Sequence, residues 1–514
     1  MTAAGRSSTL GRRWRRSVLR WQGRLDGEVA DRLLPWGCAL VLFAVLVALD
    51  AAAIRSLDGG TGLAPWLQAG WRREHGWIGA PVAGIDPARG SWAWIAEPIL
   101  LATRVVPAEA LFVVVQAAAI AIAIVPLWRL CRDHAHLRVG ATLTITTAYG
   151  LAPTLHRTNL TAFHPEVIAL PALLWAYLEA REDHWWRYAL CIAIVLSCRA
   201  DLGLTVALLG LLLVSQGRTR PGIITTVAGL AWTGLALAVL RPELPDGALT
   251  PAGEFVARAT TPLAVFPQLV AHPVIGARDL LAEPSVLFVV VVLAPLLFLP
   301  LISLRAFSVA LACLVLAMIA DQAVQEVAQE GVLTLAPAAA HVAPAMAFVF
   351  LALAFALERI GDLSVTRVNV DRRVLVALLV GASLFFVTEA PTSPYRHPVG
   401  WGSQDVTDGA RLAAAERVDD DEAVAASTPV LMLVARRAML EELPPDPGDL
   451  TGVRLRRLTR EVDAIIIDTT GDDARTGEPI WRPVDRDRVL GVLADGGFEE
   501  VYVAQGIHLL RRAD

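Results

Sequence analysis

The chain contains no lysine, so all 45 of its basic residues are arginine. Set against 50 acids they leave a net charge of -5, and neither sign dominates as it does in a nucleic-acid binder. Nucleic acid is therefore not an expected partner. Cysteine is scarce as well. Cys38, Cys131, Cys191, Cys198 and Cys313 lie in or beside apolar runs, with no CxxC or CxxH spacing, which argues against a disulfide framework and a zinc site. The C-terminal third has no GxGxxG or GxxxxGK[ST] loop, which leaves a nucleotide site there without support. Charged residues are only 18% of the 514, while 55% are hydrophobic, and a water-soluble core of this size cannot hide that much apolar surface. The excess has to face lipid.

Apolar runs long enough to approach the thickness of a bilayer recur from Leu33 to Glu389. They place spans at roughly 33–54, 107–128, 139–155, 166–181, 188–200, 202–216, 221–240, 284–304, 306–320, 341–357 and 374–389, about eleven crossings in all. The arm 1–32 carries Arg6, Arg12, Arg13, Arg15, Arg16, Arg20 and Arg24 and reads as the cytoplasmic flank of a retained signal anchor. Alternate connections are then basic, as the positive-inside rule requires: Arg129, Arg132 and Arg138; Arg181 and Arg187; Arg218 and Arg220; Arg305; and Arg359, Arg367, Arg372 and Arg373. With the N-terminus in the cytoplasm, an odd number of crossings puts residues 390–514 outside. That tail loses the apolar runs. Val430 to Val434, Ala464 to Ile467 and Val501 to Ala504 read as strands, and Asp485 to Ala494 as a helix stopped by Asp495-Gly-Gly. The expected fold is an α-helical polytopic membrane protein of the plasma (inner) membrane: a bundle over 33–389 with a small soluble extracytoplasmic α/β domain behind it.

Candidate chemistry gathers on the outward face. The first outward loop, 55–106, holds Trp66, Trp71, Trp77, Trp92 and Trp94, read either as an interfacial belt or as a surface for sugar stacking or lipid docking. Asp50 ends the first span, Asp58 follows it, and Glu97 precedes Pro98 at a helix start. The second outward turn brings together His156, Arg157, His164 and Glu166, cations for a phosphate beside a carboxylate for proton transfer. Glu166 and His164 can equally be helix caps, because Pro165 suits a first helical position and the dipole there favours an anion. The Asn159-Leu-Thr161 sequon is read as accidental in a chain of bacterial character. Arg199 and Asp201 separate two apolar runs, where unpaired charges cost about 2.5–3.5 kcal/mol each, so they mark either a polar cavity or the turn of a helical hairpin. His341 opens another outward-to-inward helix.

Phe163-His-Pro-Glu166, Arg199-Ala-Asp-Leu-Gly203, the His341 helix start, Ala464-Ile-Ile-Ile-Asp468 and Gly506-Ile-His-Leu-Leu-Arg511 together resemble an uncharacterised bacterial family. It is a domain-of-unknown-function family of polytopic membrane proteins grouped with the GT-C glycosyltransferases. The resemblance implies a GT-C-like fold and transfer of a sugar from a polyprenyl-phosphate carrier. A carboxylate of the first outward loop would be the base, and Arg157, His164, Arg199 and His341 would hold the lipid phosphate. Gln68 and Trp71 match the family pattern as substrate-binding positions. Gly62, Leu67 and Ala200 stand where relatives tend to be acidic, and Trp94 and Ile95 stand in place of an Asp-His pair.

The resulting expectation is a membrane glycosyltransferase building a cell-envelope glycan, with Asp50 or Asp58 as base, Glu166 and Asp201 organising the site, and membrane lipid and a polyprenyl-phosphate-linked sugar as partners. No metal ligands are assigned, and a divalent metal, the sugar, the acceptor and the oligomeric state are left open. The rival expectations are a transporter or flippase of a lipid-linked precursor working through Arg199 and Asp201, and a non-catalytic envelope scaffold.

Overall fold

A computed structural model describes residues 27–57, 61–76, 87–90, 92–161, 163–239, 283–325, 339–364, 366–393, 402–444, 446–450, 452–471 and 479–513. It is mostly helical. The Arg-rich arm up to residue 26 and Asp58 lie outside the described residues, and of His341 only the backbone is described.

The first helix, α1 (Glu28–Arg55), is 28 residues long, roughly 42 Å, and more than spans a ~30 Å hydrocarbon core. Leu42, Leu46, Asp50 and Ala53 recur at helical spacing and are buried, whereas Leu33, Trp36, Leu40 and Val41 are exposed. One face therefore carries Asp50 into the protein. Near its other end Asp31 accepts from Arg132, with Nε–Oδ1 at 2.7 Å, and from the Trp128 indole, clasping α1 to the next long helix.

Following α2 (Ala64–Glu74) in the first loop come α3 (Ala108–Ile122), α4 (Val139–Gly150), α5 (Pro153–Thr161), α6 (Ala169–Arg181), α7 (Trp185–Cys198), α8 (Leu202–Ser215) and α9 (Thr219–Val239). Beyond these lie α10 (Glu283–Leu293), α11 (Leu304–Gln325), α12 (Ala339–Ile360) and α13 (Arg372–Glu389). Among the described residues, three stretches are long and apolar enough to cross a membrane: Glu28–Arg55, Ala108–His134 and Val342–Ile360. Two expected spans are broken. The run 139–155 stops at Gly150 and restarts at Pro153, a residue that fits a helix start and not an interior. The run 284–304 leaves the α-helix at Leu293, because Pro295 and Pro300 interrupt it and Leu297 and Phe298 take φ of 53° and 55°.

Helices α8 and α9 pack with their backbones in direct contact. Gly203 faces Gly229 and Gly210 faces Gly222, and a Cβ on Gly210 would lie 2.5 Å from the Thr226 backbone nitrogen. Backbone cannot yield as a side chain can. Gly210→Val is expected to force the helices apart and cost about 1–3 kcal/mol, read as a lowered thermal midpoint of the purified protein.

The C-terminal residues form a sheet in the order β4-β3-β5-β7-β6, with β3 (Val424–Ser427), β4 (Leu440–Leu443), β5 (Ala464–Asp468), β6 (Phe498–Ala504) and β7 (Ile507–Arg512); β1 (Asp362–Ser364) and β2 (Arg367–Asn369) are a separate hairpin. Strand β3 runs parallel to β4 and β5, and β7 is antiparallel to β5 and β6. The expected strand over Val430 to Val434 is corrected: Pro429 lies in the first turn of a short helix, Thr428–Leu431, and the strand is the small-residue run before it. Successive β5 residues point to opposite faces. Ile465 and Ile467 pack on Leu455, Leu458, Val489 and Leu493, from α15 (Gly452–Glu461) and α16 (Pro483–Asp495). Ala464 and Ile466 join a core that includes Ala410 and Ala414 of α14 (Val406–Ala415) together with Leu63, Trp66, Leu67, Leu100, Phe112 and Phe163. Both faces of β5 are covered, which is why it reads as an unbroken apolar run. The sheet and the first loop thus share one core. Polar ties reinforce it: Gln68 Nε2 donates to the Arg437 carbonyl at 3.3 Å, Gln404 Nε2 to the Arg55 carbonyl at 3.0 Å, and Arg436 pairs with Glu109 at 2.7 Å.

Candidate functional site

The turn from α5 into α6 is held from three sides. Phe163 is buried edge-on against Trp66, with centroids 5.1 Å apart, and lies 4.8 Å from the Phe112 ring. Gln116, a buried amide of α3, donates from Nε2 to the carbonyls of Thr158 at 2.9 Å and Asn159 at 3.1 Å, groups that the end of a helix leaves without intrahelical partners. Its Oε1 accepts from the His164 backbone N–H at 2.7 Å. One side chain therefore fixes where Pro165 and Glu166 begin their helical turn. Asn159 donates to the Leu46 carbonyl at 3.3 Å and faces the Asp50 carboxyl, which is 5% exposed. Asp50, Asn159, Gln116, Leu63, Phe112 and Phe163 line one small pocket.

On the other side of that turn, α7 ends at Cys198 and the chain passes through an extended Arg199 into α8. The Arg199 guanidinium forks onto Asp201, with Nη2–Oδ2 at 2.7 Å, and donates from Nη1 to Glu166 Oε1 at 2.9 Å. All three are under a tenth exposed, at 5%, 7% and 6%. One cation meets two anions, so the group carries a formal charge of -1. His164 Nδ1 stands 3.9 Å from Glu166 Oε1.

Burial holds the His164 imidazole below its ordinary pKa; Glu166 opposes this and the Arg199 charge adds to it. The unfolded chain then binds the proton first as pH falls below about 6.5, so this residue withdraws stability from there down to its lowered folded value. In His164→Gln the thermal midpoint is expected to fall less steeply with acidification over that window, as a pH series of melting curves would read.

The other expected site residues are placed apart from this group. Arg157 reaches the Glu389 carbonyl at 3.4 Å, and its neighbour His156 is taken up by the Gly150 carbonyl at 2.7 Å and the Thr392 hydroxyl at 2.9 Å. Gln68 is fully buried and ties the loop to the C-terminal layer, and Trp71 stacks on His75 at 4.1 Å. Glu97 is forked by Arg73 at 2.7 and 2.9 Å, which matches its charge. Gln116 and Asn159 were not among the expected site residues. Gln116 had a readable signal, since a lone polar residue inside an apolar span is a functional candidate by default. A further cluster, Glu179, Glu182 and His184, has its ligand atoms within 4.8 Å at the far end of α6, where Arg187 approaches Glu179 at 3.8 Å.

Residues 92–509 match a family model described as predicted membrane protein (DUF2079). No protein of curated function matches the sequence. Among solved structures, the chain is similar to the arabinofuranosyltransferase AftD from Mycobacteria, at 14% identity and a TM-score of 0.47, with 93% of this chain and 40% of that one covered. The chain spans less than half the length of that enzyme, and a likeness this weak carries no argument about activity. With 92–509 matched, by far the greater part of its length, the chain belongs to the DUF2079 family of membrane proteins.

Proposed function

We propose that this protein is a GT-C-like glycosyltransferase that moves a sugar from a polyprenyl-phosphate carrier to a cell-envelope acceptor. In this reading it crosses the inner membrane about eleven times, with the N-terminus inside and residues 390–514 forming a soluble layer outside. The observation that carries it is the buried polar chain Asp50, Asn159, Gln116, His164, Glu166, Arg199 and Asp201, gathered beneath the shared core of the first loop and the C-terminal sheet. Ionisable groups at membrane depth are expensive, and several held together favour a reaction site over chance.

Asp50 is assigned as the base that takes the acceptor hydroxyl proton: it is a carboxylate in a small pocket where the Asn159 amide orients it. Glu166 and Asp201, held by Arg199, offer acceptors to sugar hydroxyls. Because two carboxylates already match the Arg199 charge, the lipid phosphate is assigned to Arg157, which lies apart from them and reaches the Glu389 carbonyl. Transport is disfavoured, since these polar groups cluster at one end of the helices. Release of polyprenyl phosphate from synthetic polyprenyl-phosphate sugars, assayed on the chain in nanodiscs, is the test, and Asp50→Asn and Glu166→Gln are expected to lower it sharply.

A further inference from the structure

Over the Arg199–Asp201 turn lies a short stretch of the first loop, residues 92–95, anchored there by the Ile95 N–H donating to the Ser197 carbonyl at 3.0 Å. The Trp92 ring packs on Ala200 and Ala236, sits 5.5 Å from the Trp232 ring at 55°, and meets Trp94 edge-on at 6.2 Å. Trp94 itself is 58% exposed. Two features of this contact go against ordinary packing. Trp92 has φ of 59°, a left-handed conformation that a bulky residue holds only under strain. Beneath it, the Trp232 indole N–H is buried with no hydrogen-bond partner among the described residues, although buried indoles normally find one.

We propose that Trp92 and Trp232 form the subsite that recognises the sugar ring, a step that rests on the transferase reading and names where its donor sugar sits. The ring displaces Trp92 from Trp232, the indole N–H donates to a ring hydroxyl oxygen, and the aromatic faces of Trp92 and Trp94 stack on the apolar C–H side of the sugar. Release of Trp92 from its strained backbone favours that exchange. The chemistry selects a polyhydroxylated ring over the alternatives. An acyl chain would leave the indole N–H unpaired, and a phosphate would meet the -1 charge of Glu166, Arg199 and Asp201. A sugar hydroxyl is both acceptor and donor, and it finds the indole donor on one side and carboxylate acceptors on the other.

The test uses the full chain in nanodiscs, titrated with methyl β-D-glucopyranoside, methyl α-D-mannopyranoside and methyl α-D-arabinofuranoside and followed by saturation-transfer NMR. Trp232→Phe keeps the ring and removes the donor, so it is expected to weaken the bound glycoside about three- to tenfold with an unchanged melting curve. Trp92→Ala, which removes the stacking face from a surface loop, should weaken it at least as much. Failure of all three glycosides to bind wild type, or equal binding by wild type and both tryptophan variants, overturns the subsite. Glycoside binding that follows this pattern in a protein that transfers no sugar keeps the subsite and rejects the transferase reading.

Discussion

Arg199→Met is expected to destabilise the protein by about 3–5 kcal/mol, the cost of removing one partner from a buried ion group and leaving its carboxylates uncompensated. The prediction follows from geometry: Glu166 and Asp201 are both under a tenth exposed, and both lean on the same guanidinium. It also separates a charge effect from a packing effect. Adding Glu166→Gln and Asp201→Asn to Arg199→Met removes the unpaired anions while keeping similar volumes, so most of the lost stability should return. A triple variant as unstable as the single one would mean that Arg199 acts by packing its stem and not by its charge.

On the proposed transferase reading, with Asp50 as the base, the second large effect is on catalysis. Asp50→Asn preserves the shape of the carboxyl group and its contact with Asn159 but cannot take a proton, and loss of a general base lowers rate by about a hundred- to ten-thousand-fold. Glu166→Gln retains a carbonyl oxygen for Arg199 but gives up the charge, so it should weaken substrate binding together with turnover. Comparison of kcat with KM distinguishes the two roles. Asp50→Asn should move kcat, with KM close to wild type, whereas Glu166→Gln should raise KM as well.

Much of this site was legible in the sequence, because charge inside an apolar run is costly wherever the chain places it. Arg199 and Asp201 stand out on that ground, whereas Asp50 at the end of the first span and Glu166 in the second outward turn stand out by their place on the outward face. The pairing of Arg199 with Glu166 was not legible, since the two are 33 residues apart and no local period links separate helices. His156 and Arg157 looked like equal partners of His164. Both instead reach the end of α13, His156 at the Thr392 hydroxyl and Arg157 at the Glu389 carbonyl. Asn159 was set aside as part of an accidental sequon, yet it is the residue that faces Asp50.

The fold shows the same division. The first helix was readable because its apolar length and arginine flank are local properties, and α12 was readable for the same reason. The breaks at 151–152 and after Leu293 depend on Pro153, Pro295 and Pro300, whose effect is masked by the apolar length of the runs that contain them. In the tail, Val430 to Val434 imitates a strand by composition, while Pro429 starts a helical turn there. The core that the sheet shares with Trp66, Phe112 and Phe163 joins residues far apart in sequence, so no window along the chain could reveal it.

The most direct test of the central claim is sugar transfer itself, measured as release of polyprenyl phosphate from a panel of synthetic polyprenyl-phosphate pentoses and hexoses by the purified chain in nanodiscs. The account predicts turnover of at least one donor by wild type and a sharp fall in Asp50→Asn and Glu166→Gln. Undiminished turnover in both variants, or none by folded wild-type protein with any donor, would contradict it.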